Sequence, residues 1–181
     1  GKASLKLTNV HSGGDFAARL PSGKTDLANV VEFGFDYRIP KGVMVNFYFD
    51  LFEKRHFIEL TAGGESTENM KRIGAIAVRS DGRWHRAEFP LSRALREIYP
   101  DRAELIAENM TFGNLHAGYL HAGLGGNLAG AFFHLDNFRI ISSGGEPRFF
   151  IAAADGQPLD LAYGIDARPD TAPGTRPLTT P

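Results

Sequence analysis

Two nearly consecutive segments, "VVEFGFDYRI" (residues 30–39) and "VMVNFYFDLF" (residues 43–52), alternate apolar with polar side chains along almost their whole length. A strand sends successive side chains to opposite faces, whereas a helix repeats its apolar positions every three or four residues, so this alternation fixes both segments as half-buried strands. In the first, Val31, Phe33, Phe35, Tyr37 and Ile39 form the core face and Glu32, Asp36 and Arg38 the outer one. In the second, Val43, Val45, Phe47, Phe49 and Leu51 turn inward, and Met44, Asn46, Tyr48, Asp50 and Phe52 turn outward.

The same period recurs along the chain. "KASLKLT" places Ala3, Leu5 and Leu7 on one side, "HSGGD" supplies a turn through two adjacent glycines, and "FAARL" returns from it. "HFIELTA", "IGAIAVRS", "SDGRWHRAEFPL" with its Asp-Gly turn, "NMTFGNL" and "AGAFFHLDNFRII" add further strands. Only "LSRALREIY" departs, with Leu91, Ala94, Leu95 and Ile98 at helical spacing behind Ser92 as the expected N-cap. Many short strands with one short helix predict an all-β chain, folded as an antiparallel β-sandwich. The linker composition of "SSGGEP" places a boundary near residue 143, so residues 1–143 form the sandwich and residues 144–181 a linker with a C-terminal arm or the truncated start of another module. Gly1 runs straight into a strand, which we read as a piece cut from a longer protein.

Composition narrows the function classes. With 181 residues and 43% hydrophobic content the chain can build a real core. A formal net charge of −1 provides no basic field for nucleic acid, and no apolar run is long enough to insert in a membrane. Without cysteine there are no disulfides and no thiolate metal sites. No nucleophile elbow, phosphate loop or strand-borne triad of acids occurs, and Glu32 and Asp36 are the nearest thing to a hydrolytic pair, so the chain reads as non-catalytic. His116, His121 and His134 have no ligand spacing and read as ordinary loop and strand residues.

If the strands holding residues 30–39 and 43–52 pair, Asp36, Arg38, Asn46, Tyr48 and Asp50 share one outer surface. An aromatic ring among planar hydrogen-bonding groups suits the C–H face and vicinal hydroxyls of a sugar, with Tyr48 as the stacking platform. Trp84, in its Asp-Gly-x-Trp setting, reads as core. Asp136 in "FHLDNFRI" needs a reason to sit within a hydrophobic strand, because a buried carboxylate is costly unless bonded. It either satisfies backbone groups at a bulge or helps to hold a cation.

"GKASLKLTN", "DGRWHRAEFPLSRAL" and "FHLDNFRI" resemble, in order and spacing, the galactose-binding-like jelly-roll modules of bacterial polysaccharide-degrading proteins, over about residues 1–141. The resemblance implies a jelly-roll sandwich, a polysaccharide ligand, neighbouring domains on the same chain and an extracytoplasmic, secreted or cell-surface location. It also implies a structural calcium held by Asp136, with Asp15 as a second ligand. The chain lacks the opening acidic strand common in that family, and "LAYGIDARPDTAP" resembles the start of an Ig-like module. Carbohydrate binding is therefore the expected function. The alternatives are a structural or assembly domain that uses Phe52, Met44 and "RFFI" for protein contacts, and a glycan-active hydrolase.

Overall fold

The computed structural model describes residues 4–10, 16–20, 23–62, 69–115, 126–143, 148–149, 160–161 and 165–169. The elements are β1 (Leu5–Asn9), β2 (Phe16–Arg19), β3 (Thr25–Asp26), β4 (Val30–Arg38), β5 (Asn46–Leu51), β6 (Lys54–Glu59), β7 (Met70–Ala75), β8 (His85–Glu88), α1 (Leu91–Ile98), β9 (Ile106–Asn114), β10 (Phe132–Ser142), β11 (Arg148–Phe149), β12 (Asp160–Leu161) and β13 (Ile165–Pro169). They form the all-β sandwich that the alternation predicts. Sheet I runs β13-β1-β10-β4-β8, with β11 also on β10, and sheet II runs β12-β2-β9-β5-β6-β7, with β3 also on β9. Among the described residues every pairing is antiparallel except β6 with β7. Parts of the segment beyond residue 143 thus pair at β10, β2 and β1. No helix among the described residues is long and apolar enough to cross a membrane.

The inner faces of both sheets meet in one aromatic core. Phe33 of sheet I lies 4.9 Å from Phe47 of sheet II, Phe35 lies 4.9 Å from Phe112, and Phe138 lies 5.5 Å from both Phe33 and Phe47. Each such ring removed from water contributes about 1.5–3 kcal/mol, so this cluster is what holds the sheets face to face. Helix α1 closes one edge by burying Leu91 and Leu95. Its N-cap is Pro90 and makes no side-chain cap bond. Ser92, expected as the cap, lies inside the helix, where its hydroxyl donates to Ala28 O at 2.6 Å.

Two departures from simple alternation occur on β10 and β4. The register of this pair shifts between Asp136 and Arg139, and again between Ile141 and Ser142. At the second shift Val30 turns into the core and Val31, expected there, is exposed. At the first, Phe133 and Leu135 point inward before the shift and Phe138 and Ile140 after it. One extra residue between them is a β-bulge, and Asn137 has the positive φ of 49° that lets the strand absorb it.

Candidate functional site: the outer face of sheet I

The five residues expected to share a surface are divided between the two sheets. Strands β4 and β5 do not pair: β4 lies between β10 and β8, and β5 lies between β9 and β6. The connection between them crosses the sandwich, because Ile39, Val43 and Val45 are buried in the core and hold it there. Thr61 Oγ1 fastens this crossing by accepting from Val45 N at 2.9 Å and donating to Val43 O at 2.7 Å. Asp36 and Arg38 therefore face outward from sheet I, and Asn46, Tyr48 and Asp50 from sheet II.

Tyr48 is not a surface platform. It is 2% exposed and packs with Phe57, Met70 and Leu115 in a small second hydrophobic cluster on sheet II. Its hydroxyl donates to Leu115 O at 3.1 Å and accepts from Leu115 N at 3.3 Å. Asn46 is equally committed, accepting from Leu60 N at 2.9 Å and donating to Ala62 O at 2.6 Å. Asp50 accepts from Arg55 at 3.1 Å and Asn109 at 2.8 Å. A buried polar side chain must find partners, and these have found theirs within the fold.

The outer face of sheet I is different. In register across the strands, Lys6 of β1 stands opposite His134 of β10, and His134 opposite Arg38 of β4. Trp84, just before β8, completes this row: its ring lies 5.8 Å from that of His134. Phe132 packs edge-on to the other side of His134 at 5.5 Å, under the Lys6 ammonium, which lies 4.8 Å from its centroid. His134 is buried by these neighbours. Trp84 is 44% exposed, so the expectation that it belongs to the core is corrected. Inward-facing Ala87 sets the parity of β8, which sends Trp84, Arg86 and Glu88 outward and His85 inward, 5.6 Å from Tyr37.

A rigid turn positions Trp84. Gly82 takes a positive φ of 73°, which costs glycine nothing. Its N–H donates to Ile39 O at 3.0 Å, and its carbonyl accepts from Arg38 Nε at 2.8 Å. Asp81 accepts from Arg83 N and His85 Nε2, both at 2.9 Å. The "SDGRW" turn is thereby clamped to the end of β4, beside the arginine it orients.

One row along the strands, Arg86, Asp36 and Asp136 stand side by side. Asp36 accepts from Arg86 Nε at 3.0 Å and from Asn137 Nδ2 at 2.7 Å. Burial by itself would raise the Asp36 carboxyl, but the Arg86 and Asn137 hydrogen bonds and the charges of Arg86 and Arg139 outweigh it and hold it below its ordinary value. Asp136 goes the other way: burial pushes it up, the facing Asp36 adds to the push, and a 2.8 Å bond from Asn137 N opposes it. The bond to the N–H that follows it in the bulge gives Asp136 the backbone role expected of it. Among the described residues no group of three or more His, Cys, Asp or Glu is placed to hold a metal. Asp15, His116 and His121 lie outside the described residues.

Beyond that row, Arg139 is largely buried and lies across Gly34, where a Cβ would meet its Nη2 at 3.1 Å. It bonds to Glu32, to Glu88 at 3.5 Å and to Asn137 O at 3.2 Å. Glu32 is thus held by Arg139 and Asp36 by Arg86, each carboxylate in an ion pair of its own. Phe52, considered for protein contacts, is partly used within the fold, edge-on to Tyr99 at 5.3 Å with the Arg102 guanidinium 4.9 Å above its ring. No protein-family model, curated protein or solved structure matches the chain.

Proposed function

We propose that this protein is a non-catalytic glycan-binding domain and that its ligand lies on the outer face of sheet I, over Trp84. The observation that carries the reading is the half-exposed Trp84 ring, fixed by a clamped turn and bordered by Arg38 and by the Arg86–Asp36–Asn137 group. A sugar stacks its C–H face on an aromatic ring, while planar amide, carboxylate and guanidinium groups bond its hydroxyls. Such a surface is preorganised when its side chains are already held in place, as these are. The likeness of "DGRWHRAEFPLSRAL" and "FHLDNFRI" to galactose-binding-like modules agrees, since those two segments supply Trp84, Arg86, His134, Asp136 and Asn137. That likeness also supports an exported, multidomain context.

Affinity gel electrophoresis and titration calorimetry against a panel of neutral and acidic polysaccharides test the proposal. Wild type binds at least one polymer, and Trp84→Ala weakens that binding about tenfold or more with an unchanged unfolding midpoint. Absence of binding to every polymer, or equal binding by Trp84→Ala, refutes it.

A further inference from the structure

The arginines on this face are not equivalent. Arg86 is neutralised by Asp36, and Arg139 by Glu32 and Glu88. Elsewhere Arg55, Arg72 and Arg93 each pair with a carboxylate. Arg38 is half-buried, its Nε is spent on Gly82 O, and no carboxylate among the described residues pairs with it. Lys6, in the same row, contacts the Phe132 ring and likewise has no carboxylate partner among the described residues.

The acids nearest this row are already committed. Asp81 is held by His85 and the Arg83 N–H, Asp36 by Arg86 and Asn137, and Asp136 by the Asn137 N–H. The row Lys6–His134–Arg38–Trp84 crosses four strands, a span of about 14 Å at the usual strand spacing. Among the described residues it therefore carries two cations and an exposed indole with no acid of its own. A ligand carboxylate would supply the missing counter-charge through the paired N–H donors that an arginine presents.

We infer that the glycan is acidic, with a uronic-acid carboxylate seated on Arg38 while the same or an adjacent sugar ring stacks on Trp84. This rests on the proposed glycan-binding reading and goes further by assigning the ligand its charge. Arg38 is a specificity-determining residue, Lys6 adds long-range attraction, and His134 supports the indole through their T-shaped contact.

The test compares polygalacturonate, its fully methyl-esterified form, neutral polymers such as galactan and cellulose, and dextran sulfate as a carboxylate-free polyanion. Arg38→Gln keeps a side-chain donor for Gly82 O and removes the charge, and Arg38→Lys keeps the charge but loses the fork. The inference expects polygalacturonate to bind best, methyl esterification or Arg38→Gln to weaken binding about tenfold or more, and Arg38→Lys to recover only part of it. Unfolding midpoints of both variants report that the turn is intact. Binding of neutral polymers in preference to polygalacturonate, equal binding of dextran sulfate, or indifference to Arg38→Gln overturns the inference and leaves the glycan-binding reading standing. Failure of every polymer to bind overturns both.

Discussion

Replacing Tyr48 by alanine separates two accounts of this residue. On an exposed sugar platform the substitution would leave stability unchanged and abolish binding. In the observed fold Tyr48 is 2% exposed, and its ring lies against Phe57, with Met70 and Leu115 completing the cluster. Truncating a buried aromatic to alanine removes its transfer free energy and leaves a cavity, which costs about 3–5 kcal/mol. The lost hydroxyl strands Leu115 N and O, and Tyr48→Phe, which removes only that group, isolates a share of about 1–2 kcal/mol. With a urea m-value of about 2 kcal/mol/M for a domain of this size, Tyr48→Ala lowers the unfolding midpoint by roughly 1.5–2.5 M, read by far-UV circular dichroism at unchanged slope. Trp84→Ala gives the opposite pattern, weak binding at nearly native stability. A stability loss below about 1 kcal/mol for Tyr48→Ala would refute the placement of Tyr48 in a packed cluster.

Two further predictions concern buried polar side chains. His56 donates from Nδ1 to Lys54 O at 2.9 Å and accepts at Nε2 from the Tyr99 hydroxyl at 2.7 Å, and burial holds its pKa below the ordinary 6.5. A base whose folded pKa is depressed destabilises the fold only where the unfolded chain is protonated. Stability is therefore full above about pH 6.5 and falls below it by up to about 1.4 kcal/mol per pH unit until the folded pKa is reached. His56→Gln removes this component from urea midpoints measured between about pH 5 and pH 8, and an unaltered slope would contradict it. Asn127, 3% exposed, accepts from Met44 N at 2.8 Å and donates to Met44 O at 2.7 Å, as a neighbouring strand would. Asn127→Ala leaves both groups unpaired and costs about 2–4 kcal/mol by the same assay, with faster amide exchange at Met44, whereas a cost below about 0.5 kcal/mol would show that water replaces the side chain.

Most of the architecture was legible because alternation is a local property. The parity of "KASLKLT", "VMVNFYFDLF" and the odd positions from Phe33 to Ile39 named the inward residues before any pairing was known. Which strands neighbour each other was not legible. Asp36 and Tyr48 are only twelve positions apart, and a hairpin was the shortest assumption. Burial of Val43 and Val45 in the shared core instead carries the chain from one sheet to the other, and nothing local distinguishes that from a hairpin turn. The site moved for this reason: Asp36 and Arg38 kept their outward parity but acquired new neighbours from β10 and β8. The Asp-Gly-x-Trp motif alone does not set the direction of Trp84, whereas the parity set by Ala87, three residues on, points it outward.

The Asp-Asn pair within "FFHLDNFRII" connects fold to site. Core residues occupy odd positions at Phe133 and Leu135 and even positions at Phe138 and Ile140, so one residue must be accommodated between them without breaking the strand. Asp136 and Asn137 do this together: the carboxylate takes the Asn137 N–H, and Asn137 adopts the left-handed conformation that asparagine tolerates better than a branched residue. The change of parity has a consequence on the other face. Without it Arg139 would point into the core. With it, Arg139 emerges over Gly34 and neutralises Glu32 and Glu88, while the Asn137 amide reaches Asp36. The bulge thus satisfies the acids on one half of the face and leaves the row holding Lys6, Arg38 and Trp84 on the other half with its positive charge unspent.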